Sequence, residues 1–278
     1  MKKARTPDMN VADIFSWLCE PRRAELTEAE TKLLGTGTPR SLRVDGNTLS
    51  GWSWGSTGPR ILLVHGWESR ASHLGQFVGP LCRAQFQVWA FDGPAHGASS
   101  GTSSSVVHYG KALLAIAKEF GSFDGVIAHS VGSPAALYAF QQGMRVRASV
   151  HIAGPASLER VIRRMAGAAG LKAADTGRLF ALVEQHIGQP VASMELGALA
   201  DGFRHPALLL HDPADREVPY AESLVLADAW PDARLVSMSG AGHRRIIWHP
   251  EAIAAAVAHL LQANPNQASA PGPMSINA

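Results

Sequence analysis

The chain has 278 residues, of which 46% are hydrophobic and 17% are charged. These proportions provide enough apolar side chains for a sizeable buried core and exclude an intrinsically disordered chain. The formal net charge is +2, from 25 basic and 23 acidic residues, so charge gives no pull toward nucleic acid or an anionic membrane. The basic N-terminus is not followed by the apolar segment of a signal peptide, and no apolar run could span a bilayer. We therefore expect a cytoplasmic protein without a membrane span and without a nucleic-acid partner.

The two cysteines, Cys19 and Cys82, are too few for a disulfide framework, so we expect two reduced thiols. The sequence contains no CxxC motif and no cluster of Cys and His residues. It therefore predicts no metal site.

The first predicted elements are a short helix and a β-hairpin. The helix covers Val11–Cys19 and is followed by a linker. The hairpin strands, Ser41–Val44 and Leu49–Trp54, are separated by the turn signal Asp45-Gly46-Asn47. The helix leaves two alternatives open: it packs on its own domain, or it contacts a second subunit of a homodimer.

From residue 61 onward, short apolar runs alternate with helical patterns. Most of the runs are too short for helices and are bounded by Gly, Pro, Asp or His, which is typical of buried parallel strands. They lie at Ile61–Val64, Val88–Phe91, Gly125–Ala128, Ala148–Ile152, Ala207–Leu210 and Arg234–Met238. The helical patterns lie at Ser72–Arg83, Val106–Phe120, Ser133–Gln142, Tyr220–Ala229 and Pro250–Leu261. This alternation predicts an α/β fold with a mainly parallel sheet.

One connection between strands is unusually long. Residues 154–204 contain no convincing strand, and their apolar side chains recur at helical spacing, so we predict a helical cap over one end of the sheet. The predicted core then comprises residues 1–153 and 205–262, with an N-terminal extension at 1–39. Residues 263–278 are rich in Asn, Pro, Ala and Ser and are predicted to form a disordered tail.

A serine stands among small residues after a predicted strand, in Ala128-His129-Ser130-Val131-Gly132. A tight strand-to-helix turn pushes the serine side chain into the open, and small neighbours let the turn close. The usual pattern has glycine where Ala128 stands, and alanine restricts the backbone more than glycine does. The alternative interpretation is a serine that only caps the following helix.

Two later loops carry an acid and a histidine. Asp212 and Asp215 both follow the strand that ends at Leu210, and both carboxylates are candidates. Asp212 lies directly at the strand end, where it can cap the turn, whereas Asp215 lies further along, where it can reach a histidine. We therefore favour Asp215. His243 lies in a glycine-rich loop after the strand Arg234–Met238, from which it can reach over the serine.

Two further motifs also follow predicted strands. In His65-Gly66-Trp67, His65 is predicted to be structural because it precedes the turn. Asp92 and His96 lie in a Gly/Pro-containing loop that we expect to buttress the serine turn through local hydrogen bonds. A catalytic role for His96 is the alternative, which the order of the motifs disfavours.

In their order along the chain these motifs resemble those of the α/β-hydrolases, over roughly residues 40–261. The matching residues are His65-Gly66, Asp92 with His96-Gly97-x-Ser99, His129-Ser130-x-Gly132, Asp215-x-x-Val218-Pro219 and Gly242-His243. The resemblance implies an eight-stranded, mostly parallel sheet with helices on both faces and a helical lid after the sixth strand, where residues 154–204 lie. It also implies a catalytic triad in the order serine, acid, histidine, with Ser130 as nucleophile, Asp215 as acid and His243 as general base.

The resemblance further implies an oxyanion hole made of two main-chain N–H groups, those of Trp67 and Val131. Some members of the family take the acid from the loop after the sixth strand. Here that loop has no carboxylate before Glu159, which favours Asp215.

The expected function is a serine hydrolase, without metal or organic cofactor, that cleaves a carboxylic ester or thioester of a small to medium acyl substrate. A thioesterase is the nearest alternative, because basic residues of the cap could meet a phosphate-bearing acyl carrier or could simply form a solvated helix face. These residues are Arg160, Arg163, Arg164, Lys172 and Arg178. Other acyl-transfer or lyase chemistry, and a non-catalytic ligand-binding protein on the same fold, also stay open.

Overall fold

The computed structural model describes residues 9–195 and 203–265 and contains one eight-stranded sheet. Its strands are β1 (Thr38–Val44), β2 (Asn47–Trp54), β3 (Arg60–Val64), β4 (Gln87–Phe91), β5 (Gly125–His129), β6 (Ala148–Ile152), β7 (Ala207–His211) and β8 (Ala233–Ser237). Their order in the sheet is β1-β2-β4-β3-β5-β6-β7-β8. The β1/β2 and β2/β4 pairs are antiparallel, and all other neighbouring pairs are parallel. The predicted fold class is confirmed.

Helices cover both faces of this sheet. The α-helices are α1 (Val11–Cys19), α2 (Glu28–Gly35), α3 (Val78–Arg83), α4 (Val106–Phe120), α5 (Gly132–Gln141), α6 (Leu158–Ala168), α7 (Ala173–Ile187), α8 (Ala221–Ala229) and α9 (Pro250–Ala263). Short 3-10 helices cover Ala71–Phe77, Val191–Met194 and Arg245–Trp248. Within residues 9–195 and 203–265, no helix combines the length and the apolar character needed to cross a membrane.

The central strands are continuous apolar runs because both of their faces are buried. Successive side chains of a strand point to opposite faces, so Leu62 and Val64 of β3 pack in one core, whereas Ile61 and Leu63 pack in the other. Helices α4, α5 and α8 contribute to the first core, and α3 and α9 contribute to the second. The sheet is therefore the rigid centre from which the loops project.

The order of the sheet reverses at β3. The chain moves outward from β3 to β4 and then returns to place β5 on the other side of β3. At such a reversal the loops after the two neighbouring strands diverge, which opens a crevice at the carboxyl ends of those strands. The loop that holds Trp67 and the turn that holds Ser130 both begin at this crevice, because they follow β3 and β5.

Two predictions are wrong in detail. The predicted linker after α1 contains α2, which starts with a reciprocal capping pair: Thr27 N–H donates to the Glu30 carboxylate, and Glu30 N–H donates to the Thr27 hydroxyl. The predicted helix Ser72–Arg83 is a 3-10 helix that continues into α3. Gly75 weakens the helical preference of this stretch, and its missing side chain makes room for Leu33, whose Cδ2 atom would lie 2.1 Å from a Cβ there.

Helix α1 packs against α7 of the same chain, which is the first of the two alternatives for this helix. Ile14 is buried, and the ring of Phe15 meets the ring of His186 edge-on at 5.8 Å. The predicted cap includes α6 and α7, while its residues 196–202 lie outside the described residues. The boundary between cap and core stays a prediction. Most of the predicted disordered tail, residues 266–278, also lies outside the described residues.

A chain of hydrogen bonds crosses the interior beneath the helix that follows Ser130. The Ser133 Oγ lies 2.8 Å from His151 Nδ1, and His151 Nε2 lies 3.0 Å from Ser149 Oγ. The Ser149 hydroxyl in turn lies 3.0 Å from His205 Nε2. Burial, followed by repulsion from neighbouring histidines, lowers the pKa of His151 to about 3 and that of His205 to about 4. Both rings are therefore neutral in the folded protein near pH 7.

This burial predicts acid lability. In the unfolded chain a histidine binds its proton near pH 6.5, whereas His151 stays neutral in the fold down to about pH 3. Because the unfolded state binds more protons in that window, the free energy of unfolding should fall as the pH drops, by roughly 1.4 kcal/mol per pH unit per buried histidine. Urea unfolding at several pH values measures this slope. His151→Gln should flatten it, and an unchanged slope would contradict the assignment.

Candidate active site

Ser130 lies in the turn between β5 and α5, with a backbone φ of 51°. This left-handed conformation is uncommon for a residue with a side chain and is maintained only where the surrounding structure requires it. Two main-chain hydrogen bonds hold the turn. The Ser130 N–H donates to the Ile152 carbonyl at 2.9 Å, and the Ser130 carbonyl accepts from the Ser133 N–H at 2.9 Å.

Two glycines allow other segments to approach this turn closely. A Cβ on Gly66 would lie 2.9 Å from the Ser130 Cβ, and a Cβ on Gly132 would lie 2.5 Å from the Val64 carbonyl oxygen. Larger residues at these two positions would therefore force the loop after β3 away from the turn. Ala128, by contrast, is fully buried in the core, so its methyl group is accommodated where the usual motif has glycine.

The structure brings the three predicted triad residues together. His243 Nε2 lies 3.0 Å from Ser130 Oγ, and His243 Nδ1 lies 2.8 Å from Asp215 Oδ2. Because an ionised carboxylate only accepts, Nδ1 donates to Asp215, and Nε2 is left to accept the hydroxyl proton of Ser130. This is the tautomer that a histidine needs in order to act as a base toward a serine.

Asp215 is fully buried as a side chain and is surrounded by donors. Its Oδ1 accepts from the N–H groups of Glu217 and Val218, at 2.8 and 3.0 Å, and its Oδ2 accepts from His243 and His211. Burial alone would raise the pKa of Asp215, but hydrogen bonds from His211, His243 and Val218 outweigh burial and hold that pKa well below its usual value. The carboxylate therefore stays ionised beside His243.

The competing acid, Asp212, has a different set of partners. Its Oδ1 accepts from the Ala214 N–H at 2.9 Å, and its Oδ2 accepts from the Gly242 N–H at 2.6 Å. These contacts fold its own turn and tie that turn to the loop that carries His243. The geometry therefore supports Asp215 as the acid and gives Asp212 a role in holding the histidine loop.

The two predicted oxyanion donors lie beside the serine. Trp67 follows Gly66, the residue that approaches the Ser130 Cβ, and Val131 directly follows Ser130. In the described part of the chain, neither main-chain N–H donates to another protein group. Both N–H groups are therefore free to bind an oxygen of a substrate, as an oxyanion hole requires.

The other histidine and aspartate motifs support these loops. His65 Nε2 accepts from the Gly93 N–H at 2.8 Å, and its Nδ1 lies 2.7 Å from the Gly66 carbonyl, to which it donates. The Asp92 carboxylate accepts from the N–H groups of Ala71 and Ala98, both at 2.7 Å. Within the described residues, the hydrogen bonds of this loop do not reach Ser130 directly. The prediction that the loop buttresses the serine turn by local hydrogen bonds therefore needs correction, because the link runs through His65 to Gly66.

Two histidines that contribute to the site were not singled out from the sequence. His211 Nε2 lies 3.2 Å from Asp215 Oδ2 and 3.0 Å from the Val218 carbonyl, so this nitrogen carries the proton. His129 Nε2 donates to the His243 carbonyl at 2.9 Å. His129 stands in the motif around Ser130, but nothing in the sequence predicts its bond to His243, and nothing in the spacing of the twelve histidines marks His211.

A cavity of about 400 Å³ opens in front of Ser130 and His243. Most of its exposed lining is apolar. Part of that apolar lining comes from α4, α6, α7 and the 3-10 helix that follows α7, through Val106, Leu158, Val161, Val183, Ile187 and Met194. Such a cavity suits a hydrophobic ligand whose polar group lies at the serine.

Comparison with known families agrees with this fold. The model of the alpha/beta hydrolase family matches residues 61–256, and the chain belongs to this family. Comparison with curated protein sequences gives no significant match.

Three solved structures show the same fold at low sequence identity. A putative lipase from Acinetobacter baumannii is 18% identical, with a TM-score of 0.67 over 95% of this chain and 100% of the other. The esterase Pf2001 from Pyrococcus furiosus is 20% identical, with a TM-score of 0.65 over 88% of this chain and 97% of the other. The thioesterase domain of the curacin biosynthetic pathway is 16% identical, with a TM-score of 0.59 over 81% and 99%.

The contacts of the two aspartates predict different effects of matched substitutions. Asp215→Asn should lower kcat by about 10⁴-fold, because the amide favours the wrong tautomer of His243. Asp212→Asn should lower kcat by no more than about tenfold, because it weakens only the support of the His243 loop. Ester turnover by both variants, with thermal unfolding as a folding control, tests the assignment. An equal loss in both variants would contradict it.

Proposed function

We propose that the chain is a serine hydrolase that cleaves a carboxylic ester of a small to medium acyl substrate through an acyl-enzyme. The observation that carries this proposal is the chain of hydrogen bonds from Asp215 through His243 to Ser130, in which His243 and Ser130 line a mainly apolar cavity. Family membership supports the coarser statement that the protein is a hydrolase.

In the proposed first half-reaction, Ser130 Oγ attacks the acyl carbon while His243 Nε2 takes the hydroxyl proton. The carbonyl oxygen becomes an oxyanion, which the N–H groups of Trp67 and Val131 stabilise. The tetrahedral intermediate then collapses, and the imidazolium returns its proton to the departing alcohol oxygen. Ser130 is left as an acyl ester.

In the proposed second half-reaction, water attacks the acyl group and His243 takes a proton from that water. The same two N–H groups stabilise the second oxyanion, and collapse releases the carboxylic acid and restores the Ser130 hydroxyl. Asp215 stays ionised throughout and stabilises the imidazolium. The scheme uses only side chains, main-chain donors and water.

The nearest alternative is a thioesterase, and the contacts of the cap cations bear on it. Arg160 pairs with Glu222 and Glu195, Arg163 pairs with Glu159, and Arg178 pairs with Asp175. Among the described residues, Arg164 and Lys172 have no carboxylate within salt-bridge distance, and of these two Arg164 lines the cavity. One arginine at the cavity is weaker support for a phosphate-bearing carrier than the five basic residues of the sequence suggested.

A non-catalytic ligand-binding protein is the alternative from another class. A binding protein needs neither a hydrogen bond between Ser130 and His243 nor an ionised Asp215, whereas a serine hydrolase needs both. The 3.0 Å distance between Ser130 Oγ and His243 Nε2, and the low pKa of Asp215, favour the enzyme.

The first test uses a fluorophosphonate probe and intact mass. The wild-type protein should gain one phosphonyl adduct and should hydrolyse a neutral ester, and Ser130→Ala should lose both. Ser237→Ala removes an exposed hydroxyl that bonds only to Tyr220, so this control should behave like the wild type. A folded wild type that forms no adduct and cleaves no ester would refute the proposal.

The second test separates esterase from thioesterase. Oxygen esters and thioesters of the same acyl group should differ little in kcat/KM unless the leaving group is recognised. A preference for a phosphate-bearing thioester that falls about tenfold in Arg164→Gln would favour the thioesterase, since a charge-assisted hydrogen bond is worth that much. Arg163→Gln is the matched control, because Arg163 is paired with Glu159 one turn earlier in α6.

A further inference from the structure

The residues from Val11 to Ala24, here called the N-terminal segment, lie across the edge of the cavity although they belong to no strand of the sheet. Trp17, Leu18 and Cys19 are among the residues that line the cavity. Trp17 is 44% exposed, which places it at the opening, while Cys19 is buried. Burial and then Glu20 raise the pKa of Cys19 to about 12, so its thiol is a neutral part of the cavity wall.

The same segment bonds to the loop that follows β3, at the predicted oxyanion donor Trp67 and at residues that follow it. The Trp67 indole Nε1 donates to the Trp17 carbonyl at 3.1 Å. The Arg22 guanidinium donates to both oxygens of Glu68, each at 2.7 Å. Arg70 donates to the Ala24 carbonyl. Three of the four residues from 67 to 70 are thus held by the N-terminal segment.

A second loop near the cavity is held in the same way. The Arg23 guanidinium donates to the carbonyls of Ala95, Gly97 and Gly101, at 3.0, 3.2 and 2.8 Å. The Ser104 N–H donates to the Cys19 carbonyl at 2.7 Å. The segment therefore connects the loop after β3, the loop after β4 and the start of α4, which is where the cavity begins.

The loop that carries Trp67 needs this support because part of it is strained. Glu68 has a φ of 51°, in the left-handed region that a residue with a side chain rarely adopts. Such a conformation persists only where several contacts require it. The Glu68 carboxylate accepts the paired hydrogen bonds from the Arg22 guanidinium and a longer one from the Arg22 main-chain N–H at 3.3 Å, so weakening this set would allow the neighbouring Trp67 N–H to move.

We propose that the N-terminal segment is a positioning and specificity element of the active site. Through the bond from the Trp67 indole and the Arg22–Glu68 pair it fixes the direction of the Trp67 main-chain N–H, and through the Trp17 side chain it forms the outer wall against the acyl chain. The inference rests on the proposed function, because it assigns the oxyanion role to Trp67. The segment precedes the part of the chain that the family model matches, residues 61–256.

Trp67→Phe tests the positioning role, because it removes the indole N–H and keeps an aromatic ring. Oxyanion stabilisation acts in the transition state, so kcat should fall on the order of 5- to 20-fold while KM changes less than about twofold. The rate of fluorophosphonate labelling should fall in parallel. Trp54→Phe is the matched control, since the Trp54 indole donates to the Thr36 hydroxyl and Trp54 is not among the residues that line the cavity. An unchanged kcat in Trp67→Phe would overturn the positioning role.

Arg22→Gln provides a second variant in case Trp67→Phe unfolds. It breaks the ion pair to Glu68 and should also lower kcat rather than raise KM, by about two- to fivefold. Arg147→Gln breaks an exposed ion pair with Asp124 at 3.1 Å, away from the cavity, and should leave kcat unchanged. Equal kinetics in the two arginine variants would count against the proposal, as would a fall that follows only the unfolding temperature.

Trp17→Ala tests the specificity role, because it keeps the carbonyl that Trp67 uses and removes only the side chain. The ratio of kcat/KM for an octanoyl ester to that for an acetyl ester should fall about threefold or more, since apolar contact with the longer chain is lost. An unchanged ratio would overturn this role. In all of these tests the wild type must label at Ser130 and cleave esters; if it does not, the proposed function fails first.

Discussion

The close approach of Gly66 to Ser130 is the contact on which the rest of the site depends. It brings the loop after β3 against the turn after β5, across the point where the order of the sheet reverses. Because Gly66 has no side chain, the loop that carries Trp67 can lie directly against the turn that carries Ser130 and Val131. This arrangement requires the unfavourable left-handed backbone conformation of Ser130, which the hydrogen bond from the Ser130 N–H to the Ile152 carbonyl helps to stabilise.

The neighbouring Asp215 and Asp212 make different contacts with the loop that carries His243. Asp215 accepts from His243 and His211 through one oxygen and from two main-chain N–H groups through the other, so hydrogen-bond donors stabilise its negative charge. Asp212 instead ties its turn to Gly242, the residue before His243. One carboxylate therefore orients the imidazole, and the other fixes the loop from which the imidazole projects.

The sheet and the three triad candidates could be predicted because local patterns determine them. Buried parallel strands are continuous apolar runs, and the serine turn requires small residues at fixed spacing. Helix α2 was missed because its eight residues have little apolar periodicity, although Thr27 and Glu30 form a recognisable capping pair. The contacts of His211 and the course of the N-terminal segment depend on residues distant in sequence, and no local pattern encodes them.

Part of the cavity wall lies outside the range that the family model matches, whereas the residues proposed to carry the chemistry lie inside it. The triad and both oxyanion candidates lie within residues 61–256, which the family model matches, whereas Trp17 and Leu18 lie before that range. The solved structures at 16–20% identity show the fold alone. Since catalysis requires the donor at Trp67 to be fixed within a fraction of an ångström, a segment that both borders the cavity and bonds to Trp67 couples substrate choice to turnover.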